Sequence, residues 1–177
     1  LIYPLIIILS WQYSAKPLSF AYNYFGEFFV FLLFGPALVM GGYFIQTGIF
    51  PDLKSFIMSL PLGFFTAAIL FANEIPDFSD DKKSAKNNLI SFCGPENSFL
   101  LYYLLIALGF LTILLSIALG YLGFISVFSF LLIFLAAQAG NILRENYSDK
   151  IKLMRSSKLT INIQTLAGII LILALLL

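Results

Sequence analysis

The sequence predicts an all-α integral membrane protein, a polytopic helical bundle with five full spans and one partial span. Two observations carry that prediction. Of the 177 residues, 60% are hydrophobic and only 11% are charged. Globular domains carry roughly 25% charged residues. The apolar residues also gather into runs of hydrocarbon-crossing length, ~20 residues each, and no β-barrel alternation is visible.

Residues 1–10 (Leu-Ile-Tyr-Pro-Leu-Ile-Ile-Ile-Leu-Ser) are apolar from the start and lack the basic region of a signal peptide. They read as the exit of a membrane helix, the partial span. Five runs follow, at about 27–46, 55–73, 98–117, 121–140 and 160–177. Gly35-Pro36, Pro61, Gly63 and Gly109 fall inside them. Membrane helices tolerate such residues where neighbouring helices re-satisfy the backbone. No internal repeat is evident. Residues 1–177 therefore read as the C-terminal part of a single transmembrane domain whose N-terminal part is absent.

The segments between runs fall into two sets. Segments 11–26, 74–97 and 141–159 contain Lys16, Lys82, Lys83, Lys86, Arg144, Lys150, Lys152, Arg155 and Lys158, nine of the ten basic residues. The opposite side has only Lys54. The positive-inside rule places the 74–97 loop in the cytoplasm, in a cell (inner) membrane. The basic 141–159 segment fits an orientation signal and an anionic-lipid contact. With a net charge of +1 and no basic tail, nothing points to nucleic acid. Histidine is absent, which removes His-ligated zinc and haem and Ser–His or Cys–His catalysis from this chain. Cys93 is the single cysteine and reads as a packing residue at a helix entrance.

The dense island of charge is 73–86, Asn-Glu-Ile-Pro-Asp-Phe-Ser-Asp-Asp-Lys-Lys-Ser-Ala-Lys. Asp and Lys in such a loop are often only solvated. Three details favour more. Asp77 and Asp81 are four apart, so a helix would put both carboxylates on one face, where a cation relieves their repulsion. Mg²⁺ binds in this manner, through one or two carboxylates and substrate phosphate oxygens. Asn73 and Glu74 end an apolar run, and Pro76 restarts the chain, which puts the acids at the mouth of the bundle. Lys86, nine residues past Asp77, is within reach of a phosphate held there.

Asn73-Glu74-Ile75-Pro76-Asp77-Phe78-Ser79-Asp80-Asp81, followed by Lys86-Asn87-Asn88-Leu89 and Gly94, resembles the second aspartate-rich motif of the UbiA superfamily of intramembrane prenyltransferases. Upstream, Tyr13-Ser14-Ala15-Lys16-Pro17-Leu18, Tyr24-Phe25-Gly26-Glu27, Phe34-Gly35-Pro36 and Gly42-Tyr43-Phe44-Ile45-Gln46-Thr47-Gly48 are most similar to the menaquinone branch, the 1,4-dihydroxy-2-naphthoate polyprenyltransferases. Ala85, Asn88 and Phe92 stand where the family usually has Gly, Thr and Arg. The family's first aspartate-rich motif does not occur here, so this stretch alone is expected to be inactive.

The resemblance implies a Mg²⁺-dependent transferase that moves a polyprenyl group from its diphosphate to an aromatic acceptor within the lipid bilayer. Asp77 and Asp81 are then the catalytic metal ligands, with Asp80 a further ligand off their face. Asn73, Lys86, Tyr13 and Lys16 become substrate-binding candidates. Each has a plainer role as well: a cap at a helix end for Asn73, snorkelling for Lys86 and headgroup anchoring for Lys16. Glu27 either holds the acceptor's polar groups through water or favours a helix N-terminus. Phe and Tyr faces can stabilise an allylic cation by cation–π attraction. The expected acceptor is 1,4-dihydroxy-2-naphthoate, with hydroxybenzoate, a porphyrin-type ring or a glycerol phosphate lipid as alternatives. A transporter or channel fragment is the other class. It predicts ionisable residues near mid-span, and here the charges lie in loops or at span ends.

Overall fold

Every long apolar run folds as a helix, since a backbone in hydrocarbon must satisfy its own hydrogen bonds. The computed structural model describes residues 2–84 and 86–177. The Ala-for-Gly departure at Ala85 lies outside the described residues. Helix α1 (Ile2–Gln12) leads through a loop and a short 3₁₀ turn (Phe20–Tyr22) into the first full span, Gly26–Thr47. That span comprises α2 (Gly26–Leu32), a π-helical stretch (Leu33–Ala37) and α3 (Leu38–Thr47). The π stretch falls on Gly35-Pro36, where proline has no N–H to donate and its ring crowds the preceding turn.

The second span is α4 (Leu53–Glu74), whose first turn is capped by Asp52 through a 2.6 Å bond from the Ser55 N–H. Two short helices follow, α5 (Phe78–Lys83) and α6 (Leu89–Cys93). The remaining spans are α7 (Ser98–Ala118), then a 3₁₀ stretch (Phe124–Leu132) running into α8 (Ile133–Glu145), and α9 (Lys150–Leu176). Among the described residues, five helical units are thus long and apolar enough to cross a membrane. No β-strand occurs among the described residues; the one β-type contact is an isolated bridge between Asn23 and Asn87.

Two boundaries differ from the sequence reading. The fourth span ends at Glu145 instead of 140, and the last begins at Lys150 instead of 160. Segment 141–159 is therefore helix except for a short connection at 146–149. Hydropathy marks only the hydrocarbon-facing part of a helix, whereas capping sets where the helix begins. Asp149 accepts from the Lys152 N–H at 3.2 Å and starts α9 among charged residues.

Helix α4 sits at the centre, against α2, α3, α7 and α9. Phe65, Phe71, Tyr102, Ile113, Leu143, Leu153 and Ile163 are fully buried around it. Small residues let the backbones close in. A Cβ on Gly35 would lie 2.8 Å from the Gly63 Cα, so α4 and the π stretch meet backbone to backbone. Polar groups are paired between helices. The Tyr102 and Thr160 hydroxyls lie 2.9 Å apart, Ser157 donates to the Ala72 carbonyl at 3.2 Å, and Gln164 donates to Thr66 at 3.1 Å. Asn141 accepts from the Tyr103 hydroxyl at 3.1 Å, while Asn162 is exposed.

The two sets of connections gather at opposite ends of the bundle. At one end, Lys150 reaches Asp77, the Arg144 guanidinium lies 5.7 Å from the Phe99 ring, and Asn23 pairs with Asn87. At the other, Lys54 lies 5.9 Å from the Tyr121 ring and the Gly123 N–H donates to the Ala174 carbonyl. The charge asymmetry of the sequence is thus an asymmetry of the folded molecule.

Candidate functional site

Helix α4 ends at Glu74, and Pro76 turns the chain so that Asp77 opens α5. The Asp81 N–H donates to the Asp77 carbonyl at 2.8 Å, which places the two residues one helical turn apart, as their spacing requires. The chain then folds back, and the Lys86 N–H donates to the Asp81 carbonyl at 3.0 Å. This return aims the Lys86 side chain inward. Its ammonium donates to Asp81 Oδ2 at 3.0 Å and to Glu74 Oε1 at 3.0 Å, tying α4 to α5.

Asn88 completes the brace. Its side-chain oxygen caps α6 by accepting from the Ser91 N–H at 3.0 Å, and its amide donates to Asp81 Oδ2 at 3.0 Å. Asn88 is 2% exposed, so one buried side chain both starts a helix and fixes a carboxylate. Gly94 ends α6 at φ +77°, a conformation that side chains resist.

Glu27, in the first turn of α2, enters the same cluster from the other side. It is 3% exposed, and neither carboxylate oxygen has a hydrogen-bond partner. Its polar neighbours are the Glu74 carboxyl, the Lys86 ammonium and the backbone N–H groups of Glu27 and Leu89. Glu74 is 5% exposed, and its Oε2 is also unpartnered. Tyr13 lies close to Glu74, Lys86 and Glu27. The loop carrying it is tied to the acidic loop by the Tyr24 N–H to Asn87 carbonyl bond of 2.9 Å and the Asn87 N–H to Tyr22 carbonyl bond of 3.2 Å.

The electrostatics follow from this burial. For Lys86, desolvation pulls the pKa down, but hydrogen bonds and charge from Glu74 and Asp81 outweigh it and hold the ammonium above the usual lysine value. For Tyr13, burial raises the phenol's pKa first and the Glu74 charge adds to it, so the hydroxyl stays a donor. The cluster of Glu27, Glu74 and Asp81 has one embedded cation, Lys86.

The expected site residues divide accordingly. Asp81, Lys86 and Tyr13 come together. Asp77 and Asp80 face outward to Lys150, at 3.1 Å and 3.7 Å, and Asp80 also binds Lys83 at 3.0 Å. Lys83 and then Lys150 hold the exposed Asp80 carboxyl below its usual pKa. Asn73 is exposed on the last turn of α4. Lys16 is exposed beside a depression of about 830 Å³ shared with Ser14, Asn23 and Asn87. Cys93 is half-buried against the core, as a packing residue should be. The sequence reading passed over Glu74 and Asn88 as site residues and did not foresee the burial of Glu27. The spacing Asn88-x-x-Ser91 was a visible capping signal.

Among the described residues, no three His, Cys, Asp or Glu side chains gather closely enough to hold a metal alone. The donor set nonetheless suits a hard cation completed by substrate. It is all oxygen, acid outnumbers base within it, and buried oxygens of Glu27 and Glu74 lack partners.

The UbiA prenyltransferase family model matches residues 1–174, and the chain belongs to that family. The 1,4-dihydroxy-2-naphthoate octaprenyltransferase of Bacillus subtilis is 31% identical over 90 residues, covering 51% of this chain and 29% of the relative. The enzyme of the same description from Mycobacterium leprae is 31% identical over 110 residues, covering 62% and 37%. Human UbiA prenyltransferase domain-containing protein 1 is 34% identical over 97 residues, covering 53% and 28%. The chain thus matches between 28% and 37% of the length of these relatives. No solved structure matches. With five apolar spans and this family, the protein is an integral membrane protein.

Proposed function

We propose that the protein transfers a polyprenyl group from its diphosphate to an aromatic acceptor, with the Glu74–Lys86–Asp81 network as one wall of the diphosphate site. The observation that carries this reading is the half-buried network itself. A lysine locked between two carboxylates at the mouth of an apolar bundle is a costly arrangement that a charged substrate at a bilayer surface would use.

Asp81 would hold Mg²⁺, joined by Asp77 once that carboxylate exchanges its Lys150 partner for the ion, with Asp80 the next oxygen donor along α5. When bound, Mg²⁺ offsets the diphosphate's charge and improves it as a leaving group. Lys86 and the Tyr13 hydroxyl supply donors for phosphate oxygens, Asn88 keeps Asp81 oriented, and Asn73 lines the rim. Lys16 adds positive charge at the approach. Departure of the diphosphate leaves an allylic cation, which the electron-rich acceptor ring attacks. The prenyl chain lies among apolar helices, which solvate it well. The naphthoate acceptor is favoured over the other rings because two relatives carry that substrate in their names. The acidic loop would face the cytoplasm of a cell membrane.

The test is prenyl transfer in membranes that contain the whole protein, with 1,4-dihydroxy-2-naphthoate and 4-hydroxybenzoate offered in parallel. Transfer to the naphthoate should depend on Mg²⁺ and fall by about 100-fold or more in Asp81→Ala and Asp77→Ala. Full activity in both variants would refute the assigned roles.

A further inference from the structure

We propose that the polar depression around Lys16 is the docking subsite for the acceptor's carboxylate, adjoining the network that takes the diphosphate. The inference deepens the prenyl-transfer reading and rests on it. It starts from the distribution of charge at this end of the bundle. Lys86 is committed to Glu74 and Asp81, Lys83 to Asp80 and Lys150 to Asp77. Among the described residues, Lys16 is in no ion pair. It lines a depression of about 830 Å³ together with Ser14, Ser19, Tyr22, Asn23 and Asn87, and no carboxylate is among the lining residues. One cation, three hydroxyls and two amides suit a small anion that carries hydroxyls of its own.

The walls of the depression are fixed by the chain itself. The Ala21 N–H donates to the Tyr13 carbonyl at 2.8 Å and the Leu18 N–H to Gln12 Oε1 at 3.2 Å. The Asn23 amide donates to the Leu18 and Ser19 carbonyls at 2.9 Å and 3.1 Å. Walls ordered in advance lower the entropy that binding must offset. The two loops that form them also serve the network. Tyr13 neighbours Glu74 and Lys86, and Ser14 after it lines the depression. Lys86 belongs to the network, and Asn87 after it lines the depression. The two sites therefore adjoin across shared backbone, and their side chains assign the ligands. Mg²⁺ with a diphosphate needs acidic oxygens, which the network has and the depression lacks. The proposed acceptor, 1,4-dihydroxy-2-naphthoate, is an anion that needs no metal. The depression has room for its bicyclic ring, and the exposed Tyr22 ring offers a face for stacking.

The experiment compares 1,4-dihydroxy-2-naphthoate with 1,4-naphthalenediol, the same ring without its carboxylate, on the whole protein in phosphatidylcholine nanodiscs. Affinities for both rings, and for geranylgeranyl diphosphate with Mg²⁺, are measured for the wild type, Lys16→Met and Lys16→Arg. The wild type should bind the naphthoate about 5-fold or more tighter than the diol, and added salt should narrow the gap. Lys16→Met should bind both rings alike, at the diol's affinity, while Lys16→Arg keeps the preference. Diphosphate affinity should stay within about 2-fold in both variants, which shows that they are folded. A preference that survives in Lys16→Met overturns the assignment, as does a loss confined to diphosphate binding. A second arm adds phosphatidylglycerol to the nanodiscs. Loss of the wild-type preference there would mark a lipid-headgroup site and overturn the acceptor assignment. A wild type that binds and prenylates both rings equally overturns the carboxylate subsite and keeps the prenyl-transfer reading. A Lys16-dependent preference without transfer to either ring supports the subsite and counts against that reading.

Discussion

At the residue scale, the decisive feature is that one lysine does the work of two. Lys86 neutralises Asp81 and Glu74 together, and its side chain is only 20% exposed. Lys86→Met therefore leaves the buried Glu74 carboxylate and the half-buried Asp81 carboxylate without their cation. It should lower stability by about 3 kcal/mol in detergent denaturation as well as abolish diphosphate binding. Lys150→Ala is the control. It removes an exposed partner of Asp77 and Asp80, and its melting temperature should match the wild type. The position of Asp81 and Lys86 at the mouth of the bundle was legible in the sequence, because the apolar run ends at Asn73-Glu74 and Pro76 restarts the chain there. The separation of Asp77 from Asp81 was not. A shared helical turn fixes backbone positions, but the partners of each side chain come from α9 and α6, which local spacing does not describe. Glu27 was legible as an acid at a helix entrance, whereas its burial depends on packing against elements distant in sequence.

At the element scale, the site stands on the central helix α4, whose position depends on close backbone contact. A Cβ on Gly63 would meet the Phe31 carbonyl oxygen at 2.8 Å, and the same crossing brings Gly35 to the Gly63 backbone. Gly63→Ala forces the first full span and α4 apart. The substitution should cost about 1–3 kcal/mol. Thermal unfolding of the variant checks the loss. The spans themselves were plain in the sequence, since ~20 apolar residues admit little else. The start of α9 was not, because its first turns are charged and an Asp149 cap defines them. The 3₁₀ stretch at Phe124–Leu132 also escaped the reading, as its composition is ordinary for a membrane helix.

At the scale of the whole molecule, the bundle is polarised. The candidate site and nearly all the basic residues share one end, and Lys54 marks the other. The positive-inside rule then orients the protein. In a Cys93→Ala background, a cysteine at Lys83 should react with a membrane-impermeant maleimide only after the cells are permeabilised, and one at Lys54 should react in intact cells. The reverse pattern would invert the proposed topology. Polarity also argues for chemistry at a membrane surface over transport. Mid-span polar groups such as Thr66, Gln164, Tyr102 and Thr160 bond one another and leave no ionised relay among the described residues. The central claim is that the half-buried Asp81–Lys86 network holds the diphosphate end of a prenyl donor. Its most direct test is Mg²⁺-dependent binding of geranylgeranyl diphosphate to the whole protein, compared across wild type, Asp81→Ala and Lys150→Ala. The account predicts tight binding by wild type and Lys150→Ala and a loss of about 100-fold in Asp81→Ala. Equal affinity in wild type and Asp81→Ala would contradict it.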